Sequence, residues 1–207
     1  PIPTLEDLKN PLDEVIEPRA TQEEMTNFIE TELTESLKGL PTRTTQFGRF
    51  DKGLAYTILM KYYMHEKNWA KAEECGRELL KAEYGYGLMD RYADIFTLEN
   101  EGNKEIIFAC TEERGTNLQL WHDHALPGNY PTKNASIQKW DGYKVPWPFY
   151  RTFEEGDDRL SVLVGEYVGT DGVLFNEESD IAKHGNLYSG AVPVKYGEDP
   201  ESTGDGS

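Results

Sequence analysis

The chain has 207 residues, of which 37% are hydrophobic, and it carries 38 acidic against 21 basic side chains, a net charge of −17. This length suits one domain, or a helical subdomain with an irregular appendage. The negative charge excludes nucleic acid as the main partner and argues against adhesion to anionic lipid, because both would be repelled. No apolar run approaches the roughly 20 residues that span a bilayer, so membrane association would need a lipid anchor or a partner.

The first predicted helix begins after Thr21. The Thr21 hydroxyl can accept from the backbone three residues on, and Glu24 can reach back to the Thr21 amide, which makes a capping box. Gly39 and Pro41 are expected to end the helix. Its apolar side is formed by Met25, Phe28, Ile29, Leu33 and Leu37.

A pair of helices joined by a tight turn is predicted next. Apolar residues recur in adjacent pairs four apart over residues 49–65, which predicts one buried helix face. Asn68 stands at an N-cap position for a second helix, and we expect Trp69 at the mouth of the hairpin to be structural. The second stripe comprises Trp69, Ala72, Cys75, Leu79 and Leu80. So short a connection predicts antiparallel packing, the unit of tetratricopeptide-type scaffolds.

The sequence after this pair changes character. The run EIIFAC, residues 105–110, predicts a strand, and Cys75 and Cys110 are both expected to be small buried hydrophobes. Residues 111–134 show no period and predict a long loop. Asp171-Gly172 predicts the turn of a hairpin between short strands, with positive φ angles at both turn residues.

The ordered set of motifs resembles the SusD/RagB family of nutrient-binding outer-membrane lipoproteins. The residues that carry the resemblance are Arg19-Ala20, Glu24, Phe28-Ile29, Leu33, Leu40-Pro41, Gly48-Arg49, Asn68-Trp69, Ala72, Tyr84-Gly85-Tyr86, Tyr92, Ile95-Phe96, Asn103 to Phe108, Trp140 to Tyr143, Phe149-Tyr150, Phe153 and Asp157 to Arg159. The chain shows neither the signal peptide and lipid-attachment cysteine nor the long C-terminal helical part of that family. We therefore expect a central fragment.

The resemblance implies a mainly α fold, in which a tetratricopeptide-like helical-repeat scaffold bears an irregular loop-rich lobe with short strands. We expect the scaffold with its closing strand over residues 1–110, the ligand-binding lobe over 111–197 and a flexible acidic terminus over 198–207. The implied function is capture of oligosaccharides or other nutrients at the cell surface for a SusC-like TonB-dependent transporter. The membrane would be reached only through a lipid anchor that is missing from this chain. No cofactor is expected.

The aromatic residues of the lobe are the expected ligand-binding surface. Flat rings can stack on the C–H faces of a pyranose while neighbouring polar groups bond its hydroxyls. Trp121 is the first choice because it lies where the family varies with its ligand. Tyr130 and Trp147 follow, and Trp140 and Tyr143 complete the aromatic set. The alternative is that these rings form the core of a region that lacks regular structure.

Two polar clusters contain residue types that can bind a metal or catalyse hydrolysis. His122-Asp123-His124 is interpreted as polar loop residues, with His122 and Asp123 available to bond a ligand; a zinc site is the alternative, but no further ligand can be placed. The acids Glu154, Glu155, Asp157 and Asp158 could serve a glycosidase. A group of acids around a glycine is more typical of a solvated turn.

The sequence therefore predicts a binding protein and not an enzyme. The rival hypothesis is a helical-repeat adaptor that grips another protein. It predicts exposed apolar residues on the helical pair over residues 49–80, in place of exposed rings in the lobe.

Overall fold

A computed structural model describes residue 9 and residues 18–112, 116, 120–181, 183 and 185–201. The chain divides into two compact units, Pro1–Tyr86 and Gly87–Ser207. The domain bounds predicted from the sequence stay a prediction. The flexible acidic terminus predicted over residues 198–207 also stays a prediction, and its residues 202–207 lie outside the described residues.

Three helices make up the described part of the first unit: α1 (Gln22–Ser36), α2 (Lys52–His65) and α3 (Trp69–Leu79). The predicted caps are confirmed, since Thr21 and Glu24 form the capping box and the Asn68 side chain accepts from the amide of Lys71. Asp51 caps α2 through the amide of Leu54, so this helix begins three residues later than predicted. A 3₁₀ helix follows at Ala82–Tyr84.

The core of the first unit lies between α2 and α3. Its buried residues are Leu59, Tyr63, Ala72 and Cys75, and α1 packs against them through Leu33 and Leu37. Two polar contacts tie α1 to the pair: Tyr62 donates to Thr26 at 2.6 Å, and Lys71 pairs with Glu30 at 2.9 Å. The predicted helical scaffold is confirmed.

Three predictions about this unit and the segment that follows it are wrong. Trp69 is 63% exposed rather than structural, because it is the first residue of α3 and precedes the buried stripe. Residues 105–110 form no strand, and Cys110 is exposed. Asn103 and Glu105 explain the missing strand: the amide of Ile106 closes a turn to Asn103, and the Glu105 carboxylate accepts from the amide of Met89 at 2.9 Å.

The second unit consists of short elements joined by irregular chain, as the fold-class prediction requires. Its helices are α4 (Trp121–Ala125), α5 (Trp147–Tyr150) and α6 (Glu177–Ile181), with 3₁₀ helices at Tyr92–Phe96, Leu98–Asn100 and Asp158–Val162. Its strands are β1 (Val145–Pro146), β2 (Leu163–Val164), β3 (Glu166–Val168), β4 (Leu174–Asn176) and β5 (Gly190–Pro193).

The strands form two small antiparallel sheets. Strand β5 lies between β1 and β2, with Ala191 opposite Val145 and Val192 opposite Val164. Strands β3 and β4 form the predicted hairpin, in which Gly172 supplies a φ of 77° while Asp171 does not adopt a positive φ. All four residues of β5 are buried, so this strand forms the centre of the core of the second unit.

The core of the second unit gathers around β5 and α4. Its buried residues are Ala125, Leu126, Ile137, Trp147, Tyr167, Leu187, Ala191 and Val192. Helix α4 lies in the region predicted to be a loop, and at five residues it is too short to show a helical period. Three of its five residues, His122, Asp123 and Ala125, are buried, so α4 is an internal support for the segments around it.

Candidate functional site

The chain over residues 138–143 is fastened to α4 by backbone and side-chain hydrogen bonds. The acceptors are the carbonyl and carboxylate oxygens of Asp123, the carbonyl oxygen of His124 and the carbonyl oxygen of Leu126. The donors are the amides of Gln138, Trp140, Asp141, Gly142 and Tyr143, at 2.6 to 3.0 Å. A segment without regular structure is therefore held in one conformation by a buried helix.

Six aromatic side chains continue from this segment in an unbroken series of contacts, which we call the ring array. Its members in spatial order are Trp140, His124, Tyr143, Trp121, Tyr196 and Phe96. Successive ring centroids lie 4.7, 5.1, 5.4, 5.5 and 5.7 Å apart. Most of these contacts are edge-to-face or tilted, the geometry that aromatic pairs prefer.

Three members of the ring array face solvent. Trp140 is 48% exposed, Tyr143 45% and Tyr196 38%. His124 and Trp121 lie between these exposed rings and are half-buried. The array therefore has exposed rings supported by partly buried ones.

Trp121 supports the array from within. Its indole N–H donates to the carbonyl oxygen of Pro193 at 3.0 Å, and its ring packs against the core around β5. Part of the ring remains accessible beside Tyr143 and Tyr196. The first-choice residue from the sequence is thus within the site, but it is tied into the fold as well.

Two other predicted aromatic residues lie apart from the array. Trp147 is buried, and its indole N–H donates to the carbonyl oxygen of Leu187 at 2.8 Å, so its ring belongs to the core. Tyr130 is half-buried against Tyr167, with 5.0 Å between their ring centroids. Burial raises the pKa of the Tyr130 phenol and raises that of Tyr167 to about 12.

His122 and Asp123 also lie inside the fold. The Nε2–H group of His122 donates to the carbonyl oxygen of Tyr196 at 2.9 Å, and burial lowers the pKa of the imidazole. Asp123 accepts from the amide of Gln138 at 2.8 Å. Both side chains anchor the segments that carry the ring array. A role for them in direct ligand contact stays a prediction.

Sequence reasoning missed three members of the array. The sequence indicates His124 only as a polar loop residue or, alternatively, a zinc ligand. Tyr196 and Phe96 lie too far along the chain for spacing to join them to Trp121. The ammonium of Lys195 lies 4.0 Å from the centroid of the Phe96 ring, which adds a cation to this end of the array. Within the described residues, no three His, Cys, Asp or Glu side chains form a group that could hold a metal.

The four acids considered for glycosidase chemistry lie in an open turn. Glu154, Glu155 and Asp158 are exposed. The side chain of Asp157 binds Arg159, and these hydrogen bonds lower the pKa of the Asp157 carboxyl. A general acid needs a raised pKa, so this arrangement fits a turn and not a catalytic pair.

No protein-family model matches this sequence, and no curated protein is significantly similar to it. Solved structures do match. A surface glycan-binding protein A from Bacteroides thetaiotaomicron in complex with laminarihexaose superposes with a TM-score of 0.62 at 19% identity, covering 87% of this chain and 43% of that one. A SusD superfamily protein from Bacteroides fragilis gives a TM-score of 0.61 at 17% identity, covering 86% of this chain and 42% of its own.

A third match is a SusD superfamily protein from Bacteroides vulgatus, with a TM-score of 0.51 at 22% identity, covering 67% of this chain and 29% of that chain. The chain therefore spans less than half the length of each of these three structures. Among the described residues, no helix has the length and apolar character needed to cross a membrane. The resemblance seen in the sequence is confirmed at the level of structure: this chain has the fold of part of these SusD-like structures.

Proposed function

We propose that this chain is part of a cell-surface protein that binds oligosaccharides through the ring array. The main support is that the three exposed rings, Trp140, Tyr143 and Tyr196, belong to one continuous series of ring contacts. The backbone that carries them is fixed to the buried helix α4. The fold neighbour solved with laminarihexaose supports a glycan as the class of ligand.

Such a site binds a sugar by stacking it on aromatic rings and by contacts between its hydroxyl groups and polar residues at the edge. The C–H faces of a sugar ring pack on the flat faces of Trp140, Tyr143 and Tyr196, and water leaves both surfaces. Hydroxyl groups of the sugar then meet polar groups at the edge of the array, where Asp141 and Lys144 form an ion pair. A polymer offers many equivalent repeats, so modest affinity at one site suffices for retention.

We propose that the sugar is bound and left unchanged. Catalysis by two carboxylates needs a separation of about 5 to 10 Å across a cleft and one acid kept protonated. The acidic turn at 154–158 offers exposed carboxylates, and the pKa of Asp157 is lowered and not raised. The site therefore has the properties of a binding surface.

The partner and location follow from the SusD-like fold as further parts of the proposal. The protein would be held at the outer membrane by a lipid anchor and would deliver its ligand to a SusC-like TonB-dependent transporter. Co-purification of the full-length protein with a transporter from the same membrane tests this part independently of glycan binding. Recovery without any such transporter would count against it.

A glycan array followed by calorimetry tests the binding proposal. Wild-type protein is expected to bind at least one oligosaccharide in a panel that includes laminarihexaose. Replacement of Trp140 by Ala should weaken that binding by about tenfold or more, because exposed aromatic anchors dominate such contacts. Phe149→Ala is the matched control, since this exposed ring lies in the second unit but outside the array. An equal loss in both variants would contradict the proposal.

A second candidate, the protein-binding adaptor, is favoured by a different observation. The helical pair exposes large apolar side chains, among them Trp69 at 63% and Leu80 at 83%. Apolar residues of the helical pair and aromatic rings of the lobe are therefore both exposed, so exposure alone does not separate the two hypotheses. Pull-down with the wild type and a Trp69→Ala variant tests the adaptor; loss of a protein partner with glycan binding intact would favour it.

A further inference from the structure

We propose that His124 is a positioning residue for the ring array, whose imidazole sets the orientation of Trp140 and Tyr143 before a ligand arrives. This inference rests on the proposed glycan function and adds a residue that makes the exposed rings a fixed surface.

The side chain of His124 contacts both exposed rings at once. Its imidazole meets the Trp140 ring edge-on, with 4.7 Å between centroids and 77° between planes. It stacks on the Tyr143 ring at 5.1 Å and 27°. One half-buried ring therefore separates two rings that are nearly half exposed, and it supplies an aromatic contact to each.

The backbone of the same residue holds the chain that carries these rings. The carbonyl oxygen of His124 accepts from the amides of Gly142 and Tyr143 at 2.6 and 2.8 Å. A Cβ atom at Gly142 would lie 3.0 Å from that carbonyl oxygen, so a larger residue would fit only if the two segments moved apart by a few tenths of an ångström. Asp141 turns the chain just before this point with a φ of 56°.

These two sets of contacts act on the same segment. The backbone bonds fix where Trp140 and Tyr143 leave the chain, and the imidazole restricts the rotamers that their side chains adopt. Immobilising a large side chain when a ligand binds costs free energy. Because His124 orders two rings during folding, its loss should weaken glycan binding by about tenfold.

The ring nitrogens of His124 are not needed for this role. Among the hydrogen bonds within the described part of the chain, none involves the imidazole of His124, and its contacts with Trp140 and Tyr143 are those of an aromatic plane. Phenylalanine can supply such a plane, whereas alanine cannot. The positioning role therefore predicts that His124→Phe keeps the function that His124→Ala loses.

The test combines a ligand-free readout with a binding readout. Protein labelled with 5-fluorotryptophan gives a fluorine NMR signal for Trp140, assigned through Trp140→Phe. We expect His124→Ala to shift and broaden this signal and His124→Phe to leave its width unchanged. Calorimetry with laminarihexaose or the best glycan of the panel should then show a loss of about tenfold for His124→Ala and less than about twofold for His124→Phe.

The controls separate the possible failures. His65→Ala removes an exposed histidine from the first unit and should change neither readout. An unchanged Trp140 signal in a folded His124→Ala protein overturns the positioning role, and so does full affinity in that variant. If the wild type binds no glycan, the proposed function fails while the fluorine signal still decides whether His124 orders Trp140. Thermal unfolding of each variant shows that the comparison is made on folded protein.

Discussion

The indole N–H of Trp121 donates to the carbonyl oxygen of Pro193 at 3.0 Å, so the ring predicted to bind ligand also joins α4 to strand β5. Trp121 therefore contributes to stability as well as to the array: the Trp121→Phe variant should lose about 1 kcal/mol of unfolding free energy while keeping an aromatic ring in the array. Urea denaturation measures the change, and unaltered stability would show that the bond contributes nothing.

Gly53 of α2 lies against the ring of Tyr86, and a Cβ atom at this position would fall 1.9 Å from the phenolic oxygen. The Gly53→Ala variant should therefore lose about 1 to 3 kcal/mol of stability, despite the better helix propensity of alanine. The buried Tyr86 hydroxyl has no hydrogen-bond partner within the described structure. Tyr86→Phe alone should be neutral or stabilising, and it should recover part of the loss in the double variant; additive losses would refute the clash.

Gly190 allows strand β5 to approach β1. A Cβ atom there would lie 2.1 Å from the carbonyl oxygen of Val145, which is backbone and cannot move aside without breaking the strand pair. We expect Gly190→Ala to destabilise the protein by about 2 kcal/mol or more in chemical denaturation. Gly128→Ala is the control, because nothing lies within 4 Å of its Cβ position, and it should change stability by less than about 0.5 kcal/mol. Equal losses of stability in the two variants would contradict a close approach of β5 to β1 at Gly190.

Burial of His122 predicts a loss of stability in mild acid. Burial lowers the pKa of His122 from its ordinary value of 6.5, so below that pH the unfolded chain takes up a proton that the folded chain does not. The free energy of unfolding should fall as pH falls from about 6.5 toward the folded pKa. Denaturation at several pH values in this window measures the slope.

The His122→Gln variant lacks this titration and should show a shallower slope than the wild type. If the wild type and His122→Gln respond alike between pH 7 and 5.5, buried His122 is not the source of acid sensitivity.

The helical unit was predictable because its signals are local. The capping box of Thr21 and Glu24 and the Asn68 cap each act within a few positions of the chain, and both are confirmed. The apolar stripes are confirmed in their middle parts, whereas Trp69 and Leu80 at the ends of the second stripe are exposed. The strand predicted at residues 105–110 is absent, because local sequence does not show whether a segment finds a pairing partner elsewhere in the chain. Here Asn103 and Glu105 direct the segment into turns.

The candidate site was only partly predictable. The sequence marked Trp121, Trp140 and Tyr143 as aromatic residues of the lobe. It ranked Trp147 ahead of Trp140 and Tyr143, but those two rings are exposed and Trp147 is buried. Burial there depends on β5 and on the carbonyl of Leu187, some 40 residues away. Tyr196 joins the array through contacts with residues more than 50 positions distant, which no spacing rule reveals.

Indole NMR during a glycan titration tests the central claim most directly, because the four tryptophans lie in different surroundings. Trp140 is exposed in the array, Trp121 is half-buried in it, Trp147 is in the core and Trp69 is exposed on the helical pair. We predict that a binding oligosaccharide shifts the indole signals of Trp140 and Trp121 and leaves those of Trp69 and Trp147 in place. Movement of the Trp69 signal with an unmoved Trp140 signal would contradict the ring array as the binding surface.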